Sequence, residues 1–518
     1  MPRDRVGASN IGTFACRTFH RDTKASKRAN SSHTLLTRNE QTAMKLTTTL
    51  IFIFSTFTCI GQPSRTITKE QALEDLKIFQ TSLKELHPNI YRYTSKADFD
   101  KEYKNVRGQI GETITIKQFY NLVAPIITMV RCGHTFGIVS LVDDKKGLLP
   151  LDVKILDGKL FVLRNLSTNK ELSAGSEVLT INGMSATDLI NDLRNKQNAD
   201  GYGVNFKDRI IERDFRWKFA TFISQPDSFK IELKDYKTAE QKRFTIAALS
   251  NDSIAQRLRQ LNLPNAKPLD FYVDSKNNVA VLKLGSFMAK SIKKQSGQNL
   301  RKTIKRSFKK LDNSKVDNLI IDLRGNTGGM VFATPLLFSY LTDKDFKVAN
   351  KIIFKHGYKF NHPEYLNRNK FNDWVNRKLD KKINDSTYEW TLHNITKKTF
   401  KVARNPYKGK VYFLTNGMTA SAGAEFASIV RAHNKGIFVG EETGGDYNGV
   451  NGFDRTFLRL PNSGIGVLIA CWSGKMAWQE SKNVGHGVLP DYEVHPTLED
   501  LLTGQDTEMK FAYDLIKK

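Results

Sequence analysis

Cysteine is scarce in this 518-residue chain: Cys16, Cys59, Cys132 and Cys471 stand far apart, with no CxxC pair. A disulfide scaffold and a zinc ribbon are thereby excluded, and no metal is expected. Long apolar runs are missing too. The only sustained one, Leu46–Ile60, has 15 residues, short of the ~20 that a helix needs to cross a bilayer. Acidic residues are outnumbered, 53 Asp and Glu against 80 Lys and Arg, for a formal charge of +27. That balance invites a nucleic-acid reading, yet the sequence has no helix-turn-helix pattern and no basic stripe interleaved with aromatics, so no nucleic-acid partner is expected. Repeats and low-complexity tracts are also absent. What is present, 40% hydrophobic and 10% aromatic residues, suffices for a buried core and excludes wholesale disorder.

The short apolar run reads as the core of a signal peptide. Met44-Lys45 supplies a start and a positive flank, and Cys59 and Gly61 put small residues at the −3 and −1 positions of a cleavage site before Gln62. Residues 1–61 are therefore expected to be a leader, with 1–43 an extension ahead of the true start. A transit peptide or a disordered arm is the competing reading of 1–43. Thr56-Phe57-Thr58 before Cys59 lacks the small residues of a lipidation site, so no membrane anchor is expected. The expected location is secreted or periplasmic, in the cell envelope. The leader holds nine Lys and Arg against three Asp and Glu, so most of the positive charge stays on the mature chain. It is dispersed there in stretches such as Lys302–Lys310, the distribution of solvated faces.

Three further regions follow. Residues 62–146 begin with Leu73, Leu76, Phe79, Leu83 and Leu86 at helical spacing after Thr68, which has Gln71 as capping-box partner and Pro88 as terminator. A second helical stretch, 116–130, leads into Arg131-Cys132-Gly133-His134-Thr135. Residues 147–248 change to short strand-like runs with turn signals, Asp157-Gly158 the clearest, and a short helix over Ala186–Leu193. This is the texture of a β-rich, PDZ-like module. Residues 249–518 alternate apolar strands with helices, as an α/β domain with a buried sheet does. A polar excursion at 355–400 is set into it.

Two strand-to-helix junctions could carry chemistry. Leu319–Met330 runs into Asp322, Arg324, Asn326 and Gly328-Gly329, and glycines there let the backbone approach a ligand. It matches neither a Walker loop nor GxGxxG, and taken alone it is equally a tight βα turn. Val411–Ile429 repeats the pattern with Thr419-Ala420-Ser421-Ala422-Gly423 opening a helix. A serine there can serve as a nucleophile beside helix N–H groups, or simply cap the helix. A third glycine turn, Gly440-Glu441-Glu442-Thr443-Gly444-Gly445, follows the next strand.

In order and spacing these segments resemble the serine peptidases that include the C-terminal processing proteases and the tricorn core protease. The family's DLRxNxGG, T-A-S, G-E-x-T-x-G and G-V-x-P-D motifs stand here as Asp322–Gly329, Thr419–Ser421, Gly440–Gly445 and Gly487–Asp491. The likeness is close over about 270–500 and weak over 68–248. It implies an α/β, ClpP/crotonase-like core with an N-terminal helical segment and an inserted PDZ-like domain.

It also implies roles. Processing proteases activate the serine with a lysine, and that position here is Asp446, so the Ser-Lys dyad is absent. Tricorn-like members use a histidine ahead of the PDZ-like module, and His134 matches by position. The expectation is an exported peptidase with Ser421 as nucleophile and His134 as base. Glu480 is the orienting acid, with Glu441 and Glu442 as competitors, and backbone N–H groups of Gly328, Gly329 and Ala422 bind the oxyanion. The relay serine of tricorn-like sites is missing, since Gly133 precedes the histidine, and Glu480 lies further from Gly487 than the family pattern has it. No cofactor is implied. The partner is a polypeptide substrate, bound through its C-terminus by amides around 147–152. The alternative from another class is a non-catalytic carrier of a hydrophobic ligand or peptide on the same fold.

Overall fold

The computed structural model describes residues 64–518 except 263–266, 331–332, 356–358, 392–393 and 450. The leader expected at 1–61 lies outside the described residues. Among the described residues no helix is long and apolar enough to cross a membrane.

The N-terminal segment folds as its capping signals dictate. Thr68 and Gln71 form a reciprocal capping box on the helix Lys69–Leu86, and Thr115 and Gln118 form another on Ile116–Met129. Between them lies Lys96–Gln109, a helix whose apolar spacing is too sparse to stand out in sequence. Buried Asp75 accepts hydrogen bonds from the Asn462 and Ser463 N–H groups (3.0 and 2.7 Å), tying the first helix to a turn nearly four hundred residues later. After Ile116–Met129 the chain turns through Arg131, at φ 50°, and enters the strand Phe136–Ile138. That strand pairs antiparallel with Gly466–Ala470, Gly137 opposite Val467. His134 is thus carried by a turn clamped between an N-terminal helix and a C-terminal hairpin.

Residues 151–247 form an antiparallel sheet in the order Leu151–Leu156, Lys159–Asn165, Glu177–Ile181, Ser228–Lys234, Gln241–Ala247. Asp157 and Gly158 join the first two strands with positive φ at both residues (49° and 75°), the geometry a two-residue hairpin requires. Helices Ala186–Asn195 and Val204–Lys218 complete this region's own apolar core around Leu151, Leu189, Ile211 and Phe229.

The central sheet runs Leu269–Asp274, Val279–Leu284, Asn318–Asp322, Lys410–Thr415, Ile437–Gly440, Tyr492–Glu493, parallel from the second strand onward. Asn318–Asp322 is buried throughout, as a central strand covered on both faces must be. Helices Leu300–Ser314 and Ala422–Ala432 cover one face, packing Phe308 and Phe426 with Leu282, Ile321 and Phe413. The C-terminal helix Thr507–Lys517 covers the other, against Val281, Ile320 and Leu414. The polar excursion is anchored by a second sheet: its hairpin Lys381–Asn384/Thr387–Glu389 joins Ala349–Lys355, which pairs with Trp472–Met476. Trp390 packs edge-on against Trp472 at 4.1 Å between ring centroids.

Glu425 is a cost built into this core. It lies in the first turn of Ala422–Ala432, buried, with both carboxylate oxygens unpartnered, and burial pushes its carboxyl from the ordinary 4.5 up to about 8. Because the folded value lies above the unfolded one, its stabilising contribution is complete below pH 4.5 and is lost as pH rises towards 8. Glu425→Gln should therefore raise the melting temperature at pH 8 by on the order of several °C and leave it nearly unchanged at pH 4. Equal shifts at both pH values in a thermal melt would count against this assignment.

Candidate active site

Ser421 sits where the strand Lys410–Thr415 gives way to the helix Ala422–Ala432, at φ 53° and ψ −127°. A positive φ at a non-glycine residue is strained, and it is held here by the surroundings. Ala420 N–H donates to the Asn326 carbonyl (2.9 Å), Gly423 N–H to the Ala420 carbonyl (2.9 Å), and the Thr419 hydroxyl to the Leu323 carbonyl (2.9 Å). The Ser421 side chain does not cap the helix. Its Oγ lies 3.1 Å from Nε2 of His134.

The two glycine turns converge on that serine. A Cβ on Gly328 would come within 2.6 Å of the Ser421 Cβ and 2.8 Å of the Ala422 nitrogen, and Gly328 has φ 94°, so only glycine fits. Gly328 does not serve as an oxyanion donor, however: its N–H is spent on the Asn326 Oδ1 at 2.9 Å. The N–H groups of Gly329 and Ala422 have no acceptor among the described residues; the Ala422 nitrogen adjoins Gly328 at the serine, and Gly329 is the next residue of that turn. The charged residues of the same motif are structural. Arg324 pairs with Asp322 (2.9 Å), Asp506 (2.6 Å) and Glu508 (3.0 Å), fastening the turn to the C-terminal helix.

His134 is half-buried. Burial, with Arg455 as a lesser contribution, pushes its imidazole down to about 4, so the ring is neutral at neutral pH. Its Nδ1 is enclosed and has no hydrogen-bond partner. The orienting acid expected from the sequence is not at this nitrogen. Glu480 is exposed and faces Lys475 at 3.5 Å, because it lies on the outer side of the segment following Trp472–Met476. Neither competitor replaces it. Glu441 accepts from the Gly417 N–H (2.9 Å) and faces Arg209 and His495, both at 3.5 Å, while Glu442 binds the Gly487 N–H (2.7 Å) and His486 Nδ1 (3.1 Å).

The carboxylate beside the histidine turn is Asp200, which sequence reasoning missed. Its Oδ1 accepts the Gly133 N–H at 2.7 Å, Asn198 Nδ2 donates to the Gly133 carbonyl at 2.9 Å, and Gly201 N–H donates to the Arg131 carbonyl at 3.0 Å. Burial lifts the Asp200 carboxyl to about 7. The signal was available: an acid set in Ala199-Asp200-Gly201-Tyr202-Gly203, a glycine-flanked turn inside the PDZ-like region. Gly201 packs so tightly on Gly485 that a Cβ would fall 2.0 Å from its carbonyl oxygen. Asp446, at the lysine position of processing proteases, is buried against Arg92 (3.2 Å) and the Tyr93 hydroxyl.

The amides expected to receive a C-terminal carboxylate are partly committed. Leu148 N–H bonds to the Leu249 carbonyl at 2.8 Å. On the edge strand Leu151–Leu156, Glu212 accepts the Ile155 N–H at 2.8 Å and Arg209 donates to the Ile155 carbonyl at 3.4 Å.

Residues 278–494 match the family model of peptidase family S41. Among solved structures, mature CPAF superposes with a TM-score of 0.58 at 14% identity, covering 87% of this chain and 97% of its own. Mature CPAF complexed with lactacystin gives 0.59 at 14% identity, covering 87% and 98%. At this identity the likeness is one of fold.

The exposed Glu480 yields a direct test. Glu480→Gln should leave peptide hydrolysis within about twofold of the parent chain, as for a screened surface pair. A loss of a hundredfold in kcat would restore it as the orienting acid.

Proposed function

From the match of residues 278–494 to the family model of peptidase family S41, we infer a serine peptidase of the tricorn-like and C-terminal processing type, acting on polypeptides. The observation that carries the site assignment is the 3.1 Å approach of His134 Nε2 to the Oγ of a conformationally strained Ser421. Ser421 Oγ attacks the scissile carbonyl carbon while its proton passes to His134 Nε2, which the buried ring, neutral near pH 7, can accept. The oxyanion that forms is received by the Gly329 and Ala422 N–H groups, which are fixed before substrate arrives. Collapse breaks the C–N bond, and the leaving amine takes the proton from His134. Water, deprotonated by the same imidazole, then hydrolyses the acyl-enzyme. Asp200 holds the histidine turn through Gly133, so ring placement rests on backbone ties and packing.

The missing partner at His134 Nδ1 favours a second reading, a binding protein that has kept the fold. One experiment separates the two. The exported chain, beginning at Gln62, should be labelled by a fluorophosphonate probe, lose all labelling in Ser421→Ala, and lose at least about 100-fold in casein cleavage in His134→Ala. Labelling that survives Ser421→Ala, or undiminished cleavage in His134→Ala, would sink the peptidase assignment.

Substrate entry through a polypeptide C-terminus is the finer part of this reading. It requires Glu212 and Arg209 to release the edge at Ile155, since strand addition uses those same backbone groups. Peptides with a free carboxylate should be cut faster than their C-terminal amides. Identical rates for acid and amide would remove this step.

A further inference from the structure

Cys132, His134 and Asp200 bring three different metal-binding chemistries to one point. The Cys132 sulfur, a ring nitrogen of His134 and a carboxylate oxygen of Asp200 all lie within 4.8 Å of one another. The serine mechanism uses the imidazole alone and leaves the thiol without a task. The three groups come from two segments already fixed to each other by the Gly133–Asp200, Asn198–Gly133 and Gly201–Arg131 hydrogen bonds. The donor set is therefore held by backbone ties that do not depend on any ion. A second observation points to a ligand: Nδ1 of His134 is enclosed and bonded to nothing. The Cys132 sulfur lies 3.9 Å from Asn451 Nδ2.

Thiolate, imidazole and carboxylate together are the donor set of a zinc site with three protein ligands and one open position. Zinc bonds of ~2.0–2.3 Å place tetrahedral ligand atoms roughly 3.3–3.8 Å apart, so the cluster needs to contract by about 1 Å, within the reach of side-chain rotation. Sequence reasoning expects no metal because no CxxC pair exists. That rule finds sites written locally, whereas these donors meet only because the PDZ-like region folds back on the histidine turn.

We propose that Cys132, His134 and Asp200 form an inhibitory site for a zinc-class divalent cation that switches the serine centre off. On binding, the metal replaces the thiol proton, which leaves to solvent, and takes one lone pair of the imidazole. If it takes Nδ1, the ring's remaining proton must sit on Nε2, and that nitrogen can no longer accept from Ser421. If it takes Nε2, the base is consumed directly. Either way the ion and the serine compete for one ring. The inhibitory part rests on the reading of His134 as base; the binding part does not.

The test keeps these apart. Binding is measured on the full mature chain carrying Ser421→Ala, by titration calorimetry with Zn²⁺ and by absorbance with Co²⁺, which reports thiolate ligation. One equivalent should bind with a thiolate-to-cobalt band, the band should vanish in Cys132→Ser, and Asp200→Asn should weaken affinity at least about 10-fold. A circular-dichroism melt of each variant confirms folding, and Cys132→Ala serves where Cys132→Ser does not fold. Inhibition is then read as the ratio of casein cleavage with Zn²⁺ to that with chelator, each variant compared with itself. The parent should fall at least 10-fold and recover with chelator, and Cys132→Ser should need at least 10-fold more Zn²⁺. Absence of binding, or binding independent of Cys132, overturns the site and leaves the peptidase reading intact. Binding without loss of cleavage overturns the switch. A chelated parent with no cleavage at all refutes the peptidase reading, while the cobalt spectrum still decides the site.

Discussion

One buried side chain, Asn326, carries the geometry on which the site depends. Its Nδ2 donates to the Leu284 carbonyl at 2.7 Å, its Oδ1 accepts the Gly328 N–H at 2.9 Å, and its carbonyl accepts the Ala420 N–H at 2.9 Å. The ends of three neighbouring parallel strands are thereby joined through one residue. The helix bearing Ser421 must start hard against it: a Cβ on Gly423 would fall 2.7 Å from the Asn326 carbonyl. The strained φ of Ser421 falls at the centre of this crowding. Removing the amide would leave a buried carbonyl and a buried N–H without partners, which costs more than the bonds themselves contribute.

Much of this was legible beforehand, for identifiable reasons. Capping boxes at Thr68 and the turn at Asp157-Gly158 are local instructions, complete within four residues, and the structure follows them. The glycine-bearing junctions were visible because close backbone approach admits almost no other residue. What escaped are features whose meaning lies in a distant partner. Glu480 lies further from Gly487 than the family pattern has it, and its side chain is exposed beside Lys475. Asp200 had no motif because its partner, the Gly133 N–H, is a backbone group that leaves no mark in sequence. The excursion at 355–400 reads as polar because its apolar anchor, Trp390, meets its partner Trp472 more than seventy residues away.

The charge that dominates the composition resolves into two populations. Arginines are largely committed: Arg194 to Asp208, Arg324 to three acids and Arg209 to Glu212, each in bidentate or multiple contacts that suit a planar guanidinium. Lysines are largely spare. The helix Leu300–Ser314 buries Leu300, Ile304, Phe308 and Leu311 and turns Arg301, Lys302, Lys305, Arg306, Lys309 and Lys310 outward. That face is an ordinary amphipathic helix exterior, and it explains a high pI with no polyanion in view.

The pairing of Phe136–Ile138 with Gly466–Ala470 fixes an order of events in the life of the chain. His134 is made early and the strand that seats its turn is made late, so the turn that carries this imidazole lacks its antiparallel partner until residues 466–470 have been synthesised. The 3.1 Å approach of His134 to Ser421 therefore depends on a strand far downstream of both, and belongs to the completed fold rather than to either segment alone.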